Sequence, residues 1–187
     1  QEEITDYITK LFSSGNLTEL QSEQTAGLLY VTNNIERIAD RCQDIDSIWI
    51  KVQDDGMNFS EEAGKEIENC INVLLDLLRR AMTAVKEGSE EEAELVFKNK
   101  KKLHKAEKKF NKAHLNRVKN QKCDPAMTGC FSGILYNLDR AADNCVSIAE
   151  EALDNQGFVK LGEAARNFAA PAAVVEAVYE IIIVIKN

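Results

Sequence analysis

The strongest constraint on the fold is a long apolar repeat in the first third of the chain. From Leu28 to Val52, apolar residues recur at alternating intervals of three and four positions. Positions three and four apart lie on one side of an α-helix, so this spacing is typical of a helix in a bundle. The repeat comprises Leu28, Val31, Ile35, Ile38, Cys42, Ile45, Trp49 and Val52. It predicts a helix over residues 17–52 that packs along its length against other helices.

Residues that favour helix ends divide the rest of the chain into further long helices. Capping patterns predict helix starts at Thr18 with Gln21, at Ser60, at Ser89 with Glu92, and at Asp124 with Pro125. Asp54-Asp55-Gly56 and Gly88 predict helix ends. Residues 59–153 are therefore expected to form a complete antiparallel three-helix unit. Residues 1–53 correspond to the last two helices of a similar unit, and no segment has the alternation of a β-strand.

These elements predict an all-α fold of two antiparallel three-helix bundles in tandem. Residues 1–55 are the first repeat, with its helices two and three, and residues 56–153 are the second repeat. Residues 154–187 are a linker and a C-terminal helix, in which residues 169–185 are too short and too charged to span a membrane. We expect this helix to fill the missing first-helix position of the first repeat. A separate helix used for dimerisation is the alternative.

Charge and cysteine content narrow the class of protein. The chain of 187 residues has a net charge of −8, which argues against a nucleic-acid partner. Its 44% hydrophobic and 29% charged residues are typical of a soluble globular protein. The five cysteines include no C-x-x-C pair, and we interpret all five as reduced thiols.

One stretch of sequence occurs twice, with the copies 103 residues apart. Residues 34–45 read NIERIADRCQDI and residues 137–148 read NLDRAADNCVSI, with six of twelve positions identical. Each copy places two acids four residues apart at the same heptad positions, which predicts that both pairs face away from the apolar seam. An arginine follows the first acid of each pair and can hold carboxylates in place. The pairs are either a solvated surface or a site for a hard cation, iron or manganese.

The phrases ERIAD, residues 36–40, and DRAAD, residues 139–143, resemble the E(D)-x-x-x-D motifs of the PhoU family. The resemblance covers residues 1–153 and includes the order of the repeats, their length and the number of helices. Within the family, the chain is most similar to the PhoU-type cytoplasmic domain of bacterial sodium/phosphate cotransporters. Residues 2–11 resemble the second helix of that domain, and residues 169–181 resemble its first helix.

The resemblance implies a regulator of phosphate uptake that is not an enzyme, binds metal and docks to other proteins. The implied cofactor is a transition metal (iron, manganese or zinc), multinuclear in some members, with Arg37 and Arg140 orienting its ligands. The implied ligands are Glu36, Asp40, Asp139 and Asp143, with Asp44 extending the first set and Glu150 the second, where Ser147 replaces Asp44. The implied partners are a phosphate transporter or its membrane domain, a sensor kinase and further copies of the chain. Its implied location is the cytoplasm, at the cytoplasmic face of the membrane.

Two other functions stay open: a helical interaction domain without metal, and a carboxylate-type metal enzyme or metal store. The second is disfavoured because the sequence contains no catalytic motif and no histidine beside the repeated acids. His104 and His114 lie ten residues apart, and we predict a structural or surface role for each. Seven lysines from Lys98 to Lys109 are predicted to form a solvated helix face. The alternative for these lysines is a basic patch for phosphate or lipid headgroups.

Overall fold

The protein is all-α, as the apolar periodicity predicts. A computed structural model describes residues 2–13, 15 and 17–155, and this part of the chain contains helices and no strand. The helices are α1 (Glu2–Ser13), α2 (Glu19–Asp54), α3 (Glu61–Glu87), α4 (Glu90–Lys119) and α5 (Met127–Asp154). No helix among these residues is long and apolar enough to cross a membrane. The predicted C-terminal helix lies beyond Asn155, outside the described residues.

Most helix ends lie where the capping residues predict them. Thr18 and Gln21 form a reciprocal capping box at the start of α2. Ser60 and Ser89 accept hydrogen bonds from backbone amides in the first turns of α3 and α4. Gly88 ends α3 with a left-handed φ of 63°, a conformation that glycine adopts without steric cost.

The start of α5 differs from the prediction. The sequence predicts Asp124 as the N-cap and Pro125 as the first helical residue. The helix instead begins at Met127, and Ala126 at the N-cap position makes no side-chain capping bond. Asp124 Oδ1 instead accepts a hydrogen bond from the Ala126 amide at 2.8 Å. This side chain stabilises a tight turn before the helix, which moves the helix start two residues further along the chain.

α5 is the central helix of the described structure. α3, α4 and α5 each pack against the other two, and α5 also packs along α2, whereas α1 makes only a small contact with α2. Fully buried side chains at the centre of the core include Ile38, Ile67, Leu74, Leu77, Leu78, Leu103, Phe131, Ile134 and Ile148. The mutual packing of α3, α4 and α5 is that of a three-helix bundle. The arrangement of two such bundles in tandem stays a prediction.

α2 and α5 run antiparallel, and the two copies of the repeated sequence lie along their interface. Asn155 after the end of α5 donates to the carbonyl of Glu23 near the start of α2, at 3.0 Å. Further along, Arg41 of α2 donates to Asn137 of α5 at 3.4 Å. Gly133 allows a close approach here, since a Cβ at this position would lie 3.0 Å from Cδ1 of Ile48.

Two pairs of equivalent residues in the two copies have equivalent environments. Asn34 and Asn137 are both buried, and each donates to the backbone carbonyl four residues earlier. Cys42 and Cys145 are both buried free thiols. Burial raises the pKa of Cys42 to about 11 and also raises the pKa of Cys145, so both thiols stay protonated at neutral pH. The identical asparagines and cysteines of the two copies thus lie buried where α2 packs against α5.

Candidate functional site

The acids of the first copy lie on the outer side of α2. Glu36, Asp40 and Asp44 are exposed, as the heptad assignment predicts, and follow one another at intervals of one helical turn. Arg41 forms an ion pair with Asp44 at 3.1 Å. Arg37 is exposed on the same helix. This side of α2 therefore presents three carboxylates to solvent.

The acids of the second copy are in a different environment, and the prediction that both pairs face solvent is wrong for Asp139. Asp139 is only 3% exposed because α4 packs over the side of α5 on which it lies. Asp143, one turn later, is half-exposed at its side chain, and Glu150 is exposed. The heptad assignment identifies one seam of α5, whereas this helix has neighbours on more than one side.

A lysine and an arginine hold the two acids of the second copy. Lys100 of α4 places its Nζ 2.7 Å from Oδ1 of Asp139 and 2.8 Å from Oδ1 of Asp143. Arg140 contacts the other oxygen of each acid, at 3.0 Å from Oδ2 of Asp139 and 2.9 Å from Oδ2 of Asp143. Each carboxylate therefore has one oxygen paired with Lys100 and the other with Arg140. We call these four residues the second-copy ion cluster.

The ion cluster keeps Asp139 ionised. Burial alone raises the pKa of this carboxyl group, but hydrogen bonds from Lys100 and Arg140 oppose the effect, and the net pKa lies below the ordinary value. The Lys100 side chain is only 13% exposed, so it departs from the prediction that the lysines of α4 are solvated. The other six lysines between positions 98 and 109 are exposed as predicted.

A histidine lies beside the cluster, which the sequence did not indicate. His104 Nδ1 is 3.1 Å from Oδ2 of Asp139 and 3.8 Å from Oε2 of Glu107. One ligand atom from each of these three residues lies within 4.8 Å of the others, a spacing that could hold a metal ion. The prediction that the repeated acids lack a histidine partner is thus wrong for the second copy. His104 also contacts two acids and is not only a surface residue. Asn111 holds Glu107 in place through a 2.9 Å hydrogen bond.

The register of α4 against α5 brings these residues together. The turn that follows α4 reverses the chain, so residues at similar distances from the turn face each other in the antiparallel pair. Lys100 meets Asp143, and His104 meets Asp139. Closer to the turn, the Ser132 hydroxyl donates to Asn111 at 2.8 Å. Counting outward from the predicted turn at 120–124 is the sequence signal that would have found these pairs.

The other histidine has a structural environment, as predicted. His114 is 1% exposed and stacks on the ring of Phe131 with the centroids 4.5 Å apart. Burial lowers the pKa of His114, with the nearby charge of Arg117 adding to the effect. The residue lines a cavity of about 170 Å³ together with Phe59, Ser60, Lys122 and Cys123.

The two copies differ in how well they fit a metal ion. The acids on α2 offer exposed carboxylate oxygens, the donor type that hard divalent cations prefer. In the second copy, Lys100 and Arg140 already use all four carboxylate oxygens of Asp139 and Asp143. A metal ion there would have to compete with two fixed positive charges, so that copy fits a metal poorly.

The fold and the two acidic motifs define a helical-bundle protein that carries one motif on each of two packed helices. The sequence model of the PhoU domain matches residues 67–152, so this part of the chain is a PhoU domain. The match covers most of α3, all of α4 and nearly all of α5, and it contains the second motif. No curated protein and no solved structure matches the chain.

Proposed function

We propose that this protein is a PhoU-type regulatory module of phosphate uptake or phosphate signalling, which acts by docking to a phosphate transporter or a sensor kinase. The observation that carries the proposal is the PhoU domain over residues 67–152. The module works at the cytoplasmic face of the membrane as an oligomer. It is a binding protein and not an enzyme.

A metal ion on α2 is part of the proposal. Glu36 and Asp40 are exposed one turn apart, and Asp44 continues the row by another turn. Iron, manganese and zinc all accept carboxylate ligands. An ion bound on an exposed helix face would supply positive charge where the module meets its partner, and ligands from the partner could complete its coordination.

An exposed aromatic residue beside the second motif supports docking through the surface around that motif. Tyr136 is 55% exposed, and its ring lies under the guanidinium of Arg140, 5.5 Å from the ring centroid. Tyrosine and arginine are among the residue types that most often carry binding energy at protein interfaces.

Phosphate uptake in the host organism tests the regulatory role. Cells with and without the protein are grown in excess phosphate, and uptake of radioactive phosphate is measured. We expect faster uptake, or altered expression of phosphate-starvation genes, when the protein is absent. Unchanged uptake and unchanged expression would contradict the proposal.

Elemental analysis tests the metal. Protein purified without a chelator or a histidine tag is compared with a Glu36→Gln/Asp40→Asn variant and with Asp54→Asn, which removes an exposed acid at the end of the same helix. We expect iron, manganese or zinc in the native protein and in the Asp54 variant, and its loss from the double variant. Equal metal in all three proteins would remove α2 as the site.

The ion cluster favours a second candidate, a helical interaction domain that regulates phosphate uptake without metal. Lys100 and Arg140 neutralise Asp139 and Asp143 with side chains of the same chain. The two experiments together separate the candidates. An effect on uptake from a protein that holds no metal favours the interaction domain.

A further inference from the structure

We propose that Lys100 is the resident cation of the second motif, which closes that copy to metal ions and makes it a clamp between α4 and α5. The inference goes beyond the proposed function, because it assigns different roles to the two copies of one motif. It depends on neither a metal on α2 nor a particular partner.

The position of the ammonium group is the first argument. Nζ of Lys100 bridges the Oδ1 atoms of two carboxylates one helical turn apart, at 2.7 and 2.8 Å. This is where a cation shared by Asp139 and Asp143 would lie. The side chain reaches across from α4, so the bridge also connects two helices.

Burial is the second argument. The side chains of Lys100 and Asp139 are 13% and 4% exposed, so water screens their attraction little. Exposed lysine pairs are loose and exchange readily, whereas this one is enclosed by packing between α4 and α5. Asp143 is half-exposed, but a metal ion could bridge it to Oδ1 of the buried Asp139 only by displacing the ammonium group.

The balance of charge is the third argument. Two carboxylates and two cations make the second-copy ion cluster neutral, and a divalent ion would leave it strongly positive. On α2, Glu36, Asp40 and Asp44 outnumber Arg37 and Arg41, and their side chains are exposed. The same acidic spacing therefore attracts a cation on α2 and repels a second one on α5.

Removal of the ammonium group should convert the clamp into a metal site. Without it, Asp139 and Asp143 each lose the partner of one oxygen, and Asp139 already lies beside His104 and Glu107. One imidazole nitrogen with carboxylate oxygens is a donor set that Mn²⁺, Fe²⁺ and Zn²⁺ accept. Methionine matches the four-atom apolar stem of lysine and lacks only the ammonium group, so Lys100→Met removes the charge with little change in packing.

The test uses Mn²⁺ alone as the probe, with free Mn²⁺ measured by its electron paramagnetic resonance signal. All proteins are full-length and carry Glu36→Gln, Asp40→Asn and Asp44→Asn, so that binding on α2 does not contribute. Lys100→Met is compared with Lys101→Met, which removes an exposed lysine from the same helix.

We expect one Mn²⁺ site in the Lys100→Met protein, with an affinity at least about tenfold above that of the parent, because a full positive charge has been removed from a shielded site. Lys101→Met should leave the affinity unchanged. Adding Asp139→Asn to Lys100→Met should abolish the new site. Circular dichroism shows whether each protein is folded, and Lys100→Gln repeats the test if Lys100→Met does not fold.

Two results would overturn the inference. One is a Mn²⁺ site in the parent with Lys100 intact that Asp139→Asn removes. The other is a folded Lys100→Met or Lys100→Gln protein that binds Mn²⁺ no better than the parent. Both results are independent of the proposed regulatory function, since neither phosphate uptake nor the α2 acids enter the measurement.

Discussion

The ion pair between Glu66 of α3 and Arg117 of α4 provides a quantitative test of how burial changes the contribution of an ion pair to the stability of this bundle. The two side chains are 16% and 15% exposed, and the guanidinium donates to both carboxylate oxygens of Glu66. A second pair on α3, Lys65 with Glu61, is 70% and 80% exposed. The first pair is shielded from water and joins two helices through two hydrogen bonds, whereas the second is exposed and lies within one helix.

Replacement of each acid by its amide gives the comparison. Glu66→Gln keeps the shape of the side chain but removes the charge and leaves one guanidinium donor facing an NH₂ group. Hydrogen bonds to charged groups contribute about 1.5–3 kcal/mol, and we expect Glu66→Gln to lower the free energy of unfolding by about 2 kcal/mol. Glu61→Gln removes a pair that water already screens, and we expect a much smaller effect.

Urea unfolding followed by circular dichroism measures both effects, first at low salt and then in 1 M NaCl. In about 1 M salt the Debye length is about 3 Å, so exposed charges no longer contribute. The effect of Glu61→Gln should then vanish, while that of Glu66→Gln should keep most of its size. Equal effects of the two variants, or a Glu66 effect that salt abolishes, would refute the argument that packing shields this pair.

Two further predictions concern α5 and its neighbours. Gly133→Ala should stabilise the protein by up to about 1 kcal/mol, because alanine favours helix and Cδ1 of the half-buried Ile48 can rotate away from the new methyl group. Gly133→Leu should instead destabilise it by about 1–3 kcal/mol, because the larger side chain forces α2 away from α5. Thermal unfolding would contradict this if both substitutions destabilise. The pKa of His114 in the folded protein lies below its unfolded value near 6.5, so the unfolded chain binds a proton more readily. The free energy of unfolding therefore falls as the pH drops below 6.5 towards the folded pKa. Urea unfolding at several pH values should show a weaker pH dependence for His114→Gln than for the native protein or His104→Gln, and an unchanged pH dependence would count against a buried neutral imidazole.

The helices themselves could be predicted from the sequence because their signals are local. A capping side chain needs only the backbone amides two or three residues away, as at Thr18 and Ser60, and Gly88 needs only its own φ. The exception at Asp124 is also local: an aspartate stabilises a turn as well as a helix start, and the sequence does not distinguish the two.

The environment of the acids could be predicted only in part, because it depends on which helices become neighbours. α2 has a single long packing partner among the described helices. Its predicted seam residues are buried or half-buried and its three motif acids are exposed, as expected. On α5 the same reasoning places Asp139 on the surface, although α4 covers it. The cation that neutralises Asp139 comes from Lys100, 39 residues earlier in the chain, and appeared in the sequence as one lysine among seven.

The central position of α5 has a consequence for the synthesis of the protein. α2 is complete at Asp54, but the helix that covers its apolar seam ends at Asp154, a hundred residues later. At about 5–20 residues per second, the ribosome takes roughly 5–20 s to make this interval. During that time Val31, Ile38 and Ile45 have no α5 to pack against, so the nascent chain exposes a long apolar stripe. Chaperones that hold amphipathic helices would therefore act on α2, and release would follow the emergence of α5.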